Sequence, residues 1–265
     1  MNDNDRQLGQ VISGKTAAFD EIDAVWLSVM DISNEQFKLR LEMIREFKTA
    51  LREFFKWQTD EAEASKEDMY EYIKRKSPYH RDVLQAIYLS FVVEYFDKFV
   101  RLVNSELTNE DFESEVSEFS AKWISRHTDE ICKKIIESTC DIYKRNSEER
   151  KNQAVQPSER DFDKDEELKK SVIFVARNEM LAVCSLAAFE ALKQSGYKYK
   201  EWCSVIDKKT RKSHLIANGQ IRKLDEPFII GTNKMMFPQD NSLGADLSEI
   251  INCRCCLKIK VHKRQ

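Results

Sequence analysis

The sequence predicts an α+β chain, predominantly α, in which a bundle of long helices precedes a small α+β C-terminal module. Three observations lead there. No glycine occurs between Gly14 and Gly196, and only Pro78 and Pro157 interrupt that span. Helices disfavour glycine, whereas strands joined by tight turns use its access to positive φ. Apolar residues in the same span recur at three- and four-residue spacing among good helix formers. After Gly196 the texture changes: four of the six glycines and two of the four prolines fall in the last 70 residues.

Taken in order, a first helix is predicted from Phe37 to Trp57. A second covers Asp82 to Leu107, where Leu84, Tyr88, Phe91, Tyr95, Phe99 and Val103 make one stripe and Val83, Ile87, Val92 and Phe96 widen it. At 1.5 Å per residue that helix is about 39 Å long. The preceding "SPYHRD" reads as a break, with His80 in a helix start. A third helix is expected from Asn109 to about Tyr143, opened by the capping stretch "TNED". The polar segment 147–167, with a lone proline, reads as a linker or long loop. A fourth helix, Leu168 to Gln194, ends on Ser195-Gly196 as a C-cap, and its centre "LAVCSLAAFEAL" carries small residues suited to close packing. Beyond it, "EWCSVID" and "CCLKIKV" read as short strands and "ANGQI" as a hairpin turn. The implied division is a helical domain over 1–146, the linker over 147–167 and a module over 168–265.

Composition narrows the function classes. The chain has 265 residues, 42% apolar, 34% charged and 10% aromatic, enough apolar surface to fold. No uninterrupted apolar run approaches the ~18 residues of a membrane span, so no membrane partner is expected. The start "MNDNDRQLGQ" lacks a basic and an apolar signal region, so the expected compartment is the cytoplasm of the cell that makes it. Seven cysteines, an odd number in a long chain, fit reduced thiols better than a disulfide framework. Net charge is −3, but residues 196–265 hold 14 Lys and Arg against 7 Asp and Glu, and the remainder holds 29 against 39. That split suits either an anionic partner for the basic part or an ordinary solvated surface. Neither GxxxxGK[ST] nor GxGxxG occurs, so no phosphate loop is expected.

An ordered series carries a resemblance. Trp202, Asp207, Arg211, His214, Gly219, Glu226, Phe228, Pro238, Asp240, Asn252, Cys253, Arg254 and Cys255 follow a helix containing Ala176-Arg177-Asn178-Glu179. This resembles the phage minor head proteins, the head-morphogenesis family typified by the Mu F protein, over about residues 170–260. The resemblance implies a non-enzymatic component of the virion or procapsid, assembled in the host cytoplasm and present in few copies. It further implies association with portal and capsid proteins, and a role in head assembly, DNA packaging or delivery. The sequence departs from the family pattern where a CxxC is common and Arg211 and His214 stand instead, and where Ile250 and Ile251 replace a His-Pro.

Read on their own chemistry, the same residues allow several sites. Cys203, His214, Cys253 and Cys255 form a candidate zinc set, the only cofactor suggested, because zinc takes four N/S donors. On an extended segment Cys253 and Cys255 face one side, with Cys256 and Arg254 on the other. The structural alternative makes the cysteines small core residues and joins Asp207, Arg211, His214 and Glu226 in a buried charged network. A third reading takes His214 as general base, Asp207 or Glu226 as its orienter and Cys253 or Cys255 as nucleophile of a hydrolase or nuclease-like enzyme. Structural support is the preferred reading of the three. His127 reads as a surface or hydrogen-bonded histidine, and His80 and His262 have no ligand-like neighbours. Lys208, Lys209, Lys212, Lys263 and Arg264 are candidate contacts to DNA phosphates, as in an accessory of the packaging apparatus.

Overall fold

The computed structural model describes residues 34–108, 116–153 and 166–258. Four long helices dominate: α1 (Asn34–Ser65), α2 (Met69–Thr108), α3 (Glu118–Gln153) and α4 (Glu166–Gln194). The rest comprises β1 (Tyr199–Cys203), α5 (Lys212–Ala217), β2 (Ile221–Lys223), β3 (Phe228–Ile230), β4 (Asn233–Met235), α6 (Leu247–Ile250) and β5 (Cys256–Lys258). The predominantly α, α+β class read from glycine placement is the observed one.

Helix limits differ from the sequence reading in instructive places. "SPYHRD" is no break: α2 begins at Met69 and runs through Pro78. Proline leaves the carbonyl four residues back without its amide partner, and here the Ser77 hydroxyl donates to the Lys74 carbonyl at 2.7 Å. Pro78 also faces solvent, so its ring meets no neighbouring helix. The helix start lies instead at Asp68, whose Oδ1 accepts from the amides of Tyr70 (3.1 Å) and Glu71 (3.3 Å) as an N-cap. His80 is therefore mid-helix and fully buried, with Nδ1 2.9 Å from Gln58 Nε2. The "TNED" cap lies mostly outside the described residues. Helix α3 reaches Gln153, well into the polar segment read as a linker, and α4 begins at Glu166.

Helix α2 packs against α1, α3 and α4, and α1 also packs on α4. Every residue from Glu179 to Leu192 of α4 is buried, and its alanines, Ser185 and Cys184 let neighbours approach closely. Among the described residues, α4 is the one helix long and apolar enough in composition to cross a membrane. Its apolar window, within Lys170–Gln194, is 72% buried inside the protein, as in a core helix. One apolar core joins Phe47, Tyr88, Phe99, Trp123 and Leu192 of the helices to Trp202, Phe228 and Phe237 of the C-terminal part.

There β2, β1 and β5 form an antiparallel sheet in that order, with Tyr199 opposite Lys223 and Trp202 opposite Leu257. Strands β3 and β4 make a separate hairpin, and α5 packs on β3. "ANGQI" is not a hairpin turn. Ala217 closes α5, Asn218 is its C-cap, and Gly219 at φ +77° turns the chain into β2 while its amide donates to the Trp202 carbonyl at 2.8 Å. The positive-φ need that marks Asn-Gly hairpins is met here by a helix end.

Candidate functional site: a buried histidine–cysteine cluster

The motif residues converge on α5 and the segment leading into β5. Trp202, fully buried on β1, donates from Nε1 to Ser204 Oγ at 2.9 Å, and the Ser204 hydroxyl donates to the His214 carbonyl at 2.7 Å. The indole meets the His214 ring edge-on, with centroids 5.7 Å apart, and Phe228 likewise at 5.3 Å. This packing fixes where His214 points. Its Nε2–H donates to Glu249 Oε2 at 2.8 Å, and the Ser213 hydroxyl donates to the same oxygen at 2.8 Å. An Nε2–H tautomer leaves Nδ1 as an acceptor. That atom faces two sulfurs, Cys255 Sγ at 3.2 Å and Cys253 Sγ at 3.6 Å. All three side chains are closed off: His214 is 2% exposed, Cys253 1% and Cys255 5%.

The two thiols differ electrostatically. Burial works against the Cys253 thiolate, but hydrogen bonds from the Cys255 side chain and backbone, with the Arg211 charge, outweigh it and hold the thiol below its ordinary value. Burial, reinforced by Cys253, pushes Cys255 well above the ordinary thiol value.

The remaining sequence candidates occupy other places. Cys203 is not in the cluster: it stands opposite Cys256 in the β1–β5 ladder, and the two thiols hydrogen-bond to each other. All seven cysteines are free. Asp207, Arg211, His214 and Glu226 do not share one network. Asp207 takes a bidentate pair from Arg254, with Oδ2 2.6 Å from Nη1 and Oδ1 2.5 Å from Nη2, and also accepts from the Lys209 amide and the Thr210 hydroxyl. The Arg254 guanidinium, acting against burial, holds the Asp207 carboxyl well below the usual carboxylate range. Arg211 donates to the Ile251 carbonyl. Glu226 lies exposed at a turn, 3.7 Å from Lys223 Nζ. Lys208, Lys209 and Lys212 are exposed around α5, whereas Lys263 and Arg264 lie outside the described residues.

Other motif positions tie the C-terminal part to the helices. Asn252, at φ +56°, donates its amide to Asn178 Oδ1 at 2.6 Å, joining "NCRC" to "ARNE". Buried Pro238 precedes a tight loop in which Asp240 accepts from the Met236 amide, the Ser242 amide and hydroxyl, and Trp123 Nε1 of α3. Glu179 accepts from the Tyr88 hydroxyl at 2.7 Å and His127 Nε2 at 2.6 Å, and the His127 ring stacks on Trp123. Sequence reasoning missed Glu249 and Ser204, the groups that orient His214. Glu249 lies four residues before Cys253, but neither it nor Ser204 belongs to a motif or periodic face that singles it out in the sequence.

No curated protein and no solved structure matches this chain. The family model described as phage Mu protein F like protein does match, over residues 143–258. It begins in the last turns of α3, earlier than the motif series, and ends on β5. This is the phage head-morphogenesis family to which the motif residues point, and over this region, a little under half of its length, the chain is similar to that family.

Proposed function

We propose that this chain is a minor head protein of a phage, associated with the portal and acting in head morphogenesis through protein–protein contact. The observation that carries the reading is the family match over 143–258, combined with what its motif residues do. Trp202, Asp207, Asp240, Asn252 and Arg254 are engaged with other parts of the chain in holding one fold. Burial of His214, Cys253 and Cys255 supports a non-enzymatic role, because it leaves almost none of their surface open to a substrate. Exposed apolar side chains on the long helices, among them Val93 at 62% and Ile173 at 53%, offer contact points for partners.

Co-expression with the portal protein of the same genome tests the portal assignment. The two proteins are expected to co-purify in a complex that survives size exclusion. A portal ring that elutes free of the chain at micromolar concentrations of both contradicts it. A weaker second role, contact with packaged DNA, rests on the exposed Lys208, Lys209 and Lys212. If those lysines meet phosphates, replacing all three with alanine lowers the slope of log K against log salt by up to about 2.7, at about 0.9 per lost contact. An unchanged slope removes them from the DNA contact.

A further inference from the structure

We propose that His214, Cys253 and Cys255 bind a zinc ion, with Glu249 as the group that orients the histidine. The three donor atoms, one nitrogen and two sulfurs, lie within 4.8 Å of one another and are buried. Tetrahedral zinc, with bonds near 2.0–2.1 Å to nitrogen and 2.3 Å to sulfur, separates an imidazole nitrogen from a thiolate by about 3.6 Å. Of the observed Nδ1–sulfur distances, 3.6 Å matches that spacing and 3.2 Å falls somewhat short of it. Only small side-chain shifts would admit the ion.

The arrangement around the donors points the same way. A histidine that binds metal through one nitrogen characteristically donates the other N–H to a carboxylate, which fixes the tautomer and raises basicity. Here Glu249 takes the Nε2 proton and is itself held by the Ser213 hydroxyl. The Nδ1 lone pair is left aimed at the sulfurs. One nitrogen and two sulfurs select borderline-soft ions over magnesium or calcium. Binding displaces the thiol protons as the thiolates ligate. Three protein donors leave one tetrahedral position for a water molecule. The ion would pin α5 to the segment before β5, where among the described residues side chains and backbone turns alone now join them.

The full chain, purified reduced and without chelator, is titrated with Zn²⁺ against a chromophoric chelator and separately with Co²⁺. One equivalent per chain and a thiolate-to-cobalt charge-transfer band are expected. Cys253→Ser and Cys255→Ser should each diminish the band, and the double variant should abolish it. Cys203→Ser should leave it intact. Glu249→Gln, which needs no core repacking, should weaken Zn²⁺ binding about 10–100-fold. Circular dichroism of each variant separates loss of ligand from loss of fold. Substoichiometric uptake by the folded wild-type chain, a cobalt band that survives the double substitution, or one that vanishes in Cys203→Ser overturns the assignment.

Discussion

At the scale of single residues, side-chain parity explains most of what the sequence allowed one to read. Alternation along "NCRC" puts Arg254 on one side and Cys253 and Cys255 on the other, and the contacts follow: Arg254 meets Asp207 while the two sulfurs meet His214. Glu249 was not legible, because its place beside His214 is set by α6, a four-residue helix with no periodic signal, across 35 positions of chain. The Asp207–Arg254 pair is expected to matter for stability. Removing one partner of a buried pair strands the other charge. Arg254 is 10% and Asp207 23% exposed by side chain, so Asp207→Asn should cost about 2 kcal/mol in denaturant unfolding, below the fully buried range. The pH dependence has a definite sign. The folded carboxyl titrates below its unfolded value of about 3.9, so its contribution is complete above that pH and is lost as pH falls toward the folded value. The wild-type and Asp207→Asn stabilities should therefore converge only in strong acid. Lys200 behaves oppositely. It is 2% exposed and donates to the Leu224 and Met236 carbonyls. Burial, partly offset by Asp240, Asp225 and Glu226, lowers it to about 7. Between that value and its unfolded value of about 10.4 the unfolded chain holds the extra proton, so stability rises with pH. The stability of wild type minus that of Lys200→Met should therefore rise from pH 7 to 10, and a difference that stays constant would show that Lys200 is not desolvated.

At the scale of elements, long-range absence was more informative than local punctuation. Among the described residues of the glycine-free span, Lys66 between α1 and α2, at φ +59°, is the one position with positive φ, and the long helices on either side of it need none. Local breakers misled where tertiary structure had other uses for them. Pro78 was read as a stop, yet it sits on the exposed side of α2 with its freed carbonyl capped by Ser77, and the apolar stripe from Tyr72 to Val103 buries the opposite side. Asn218-Gly219 was read as a hairpin, yet it ends α5. The α2 account has a direct consequence: Pro78→Ala restores a helix amide without touching the core. It should stabilise the protein by on the order of 2 kcal/mol in thermal or denaturant unfolding. A loss of stability would mean that the proline sets a bend on which α2 packing depends.

At the scale of the whole molecule, the C-terminal part is bound into the helical body by Trp123–Asp240, Asn178–Asn252 and the shared core around Phe189 and Phe237. The family match accordingly starts within α3, before the sheet-bearing part. The motif series was legible because its residues are spaced by the turns they stabilise. The contribution of α3 was not, since helical periodicity alone carries no family signature. The measurement that bears most directly on the proposed role is quantitative mass spectrometry of purified phage heads and procapsids produced from the encoding genome. A minor head protein is expected at a few copies per portal ring in the particles. Absence of the chain from both heads and procapsids would contradict a structural role in the head.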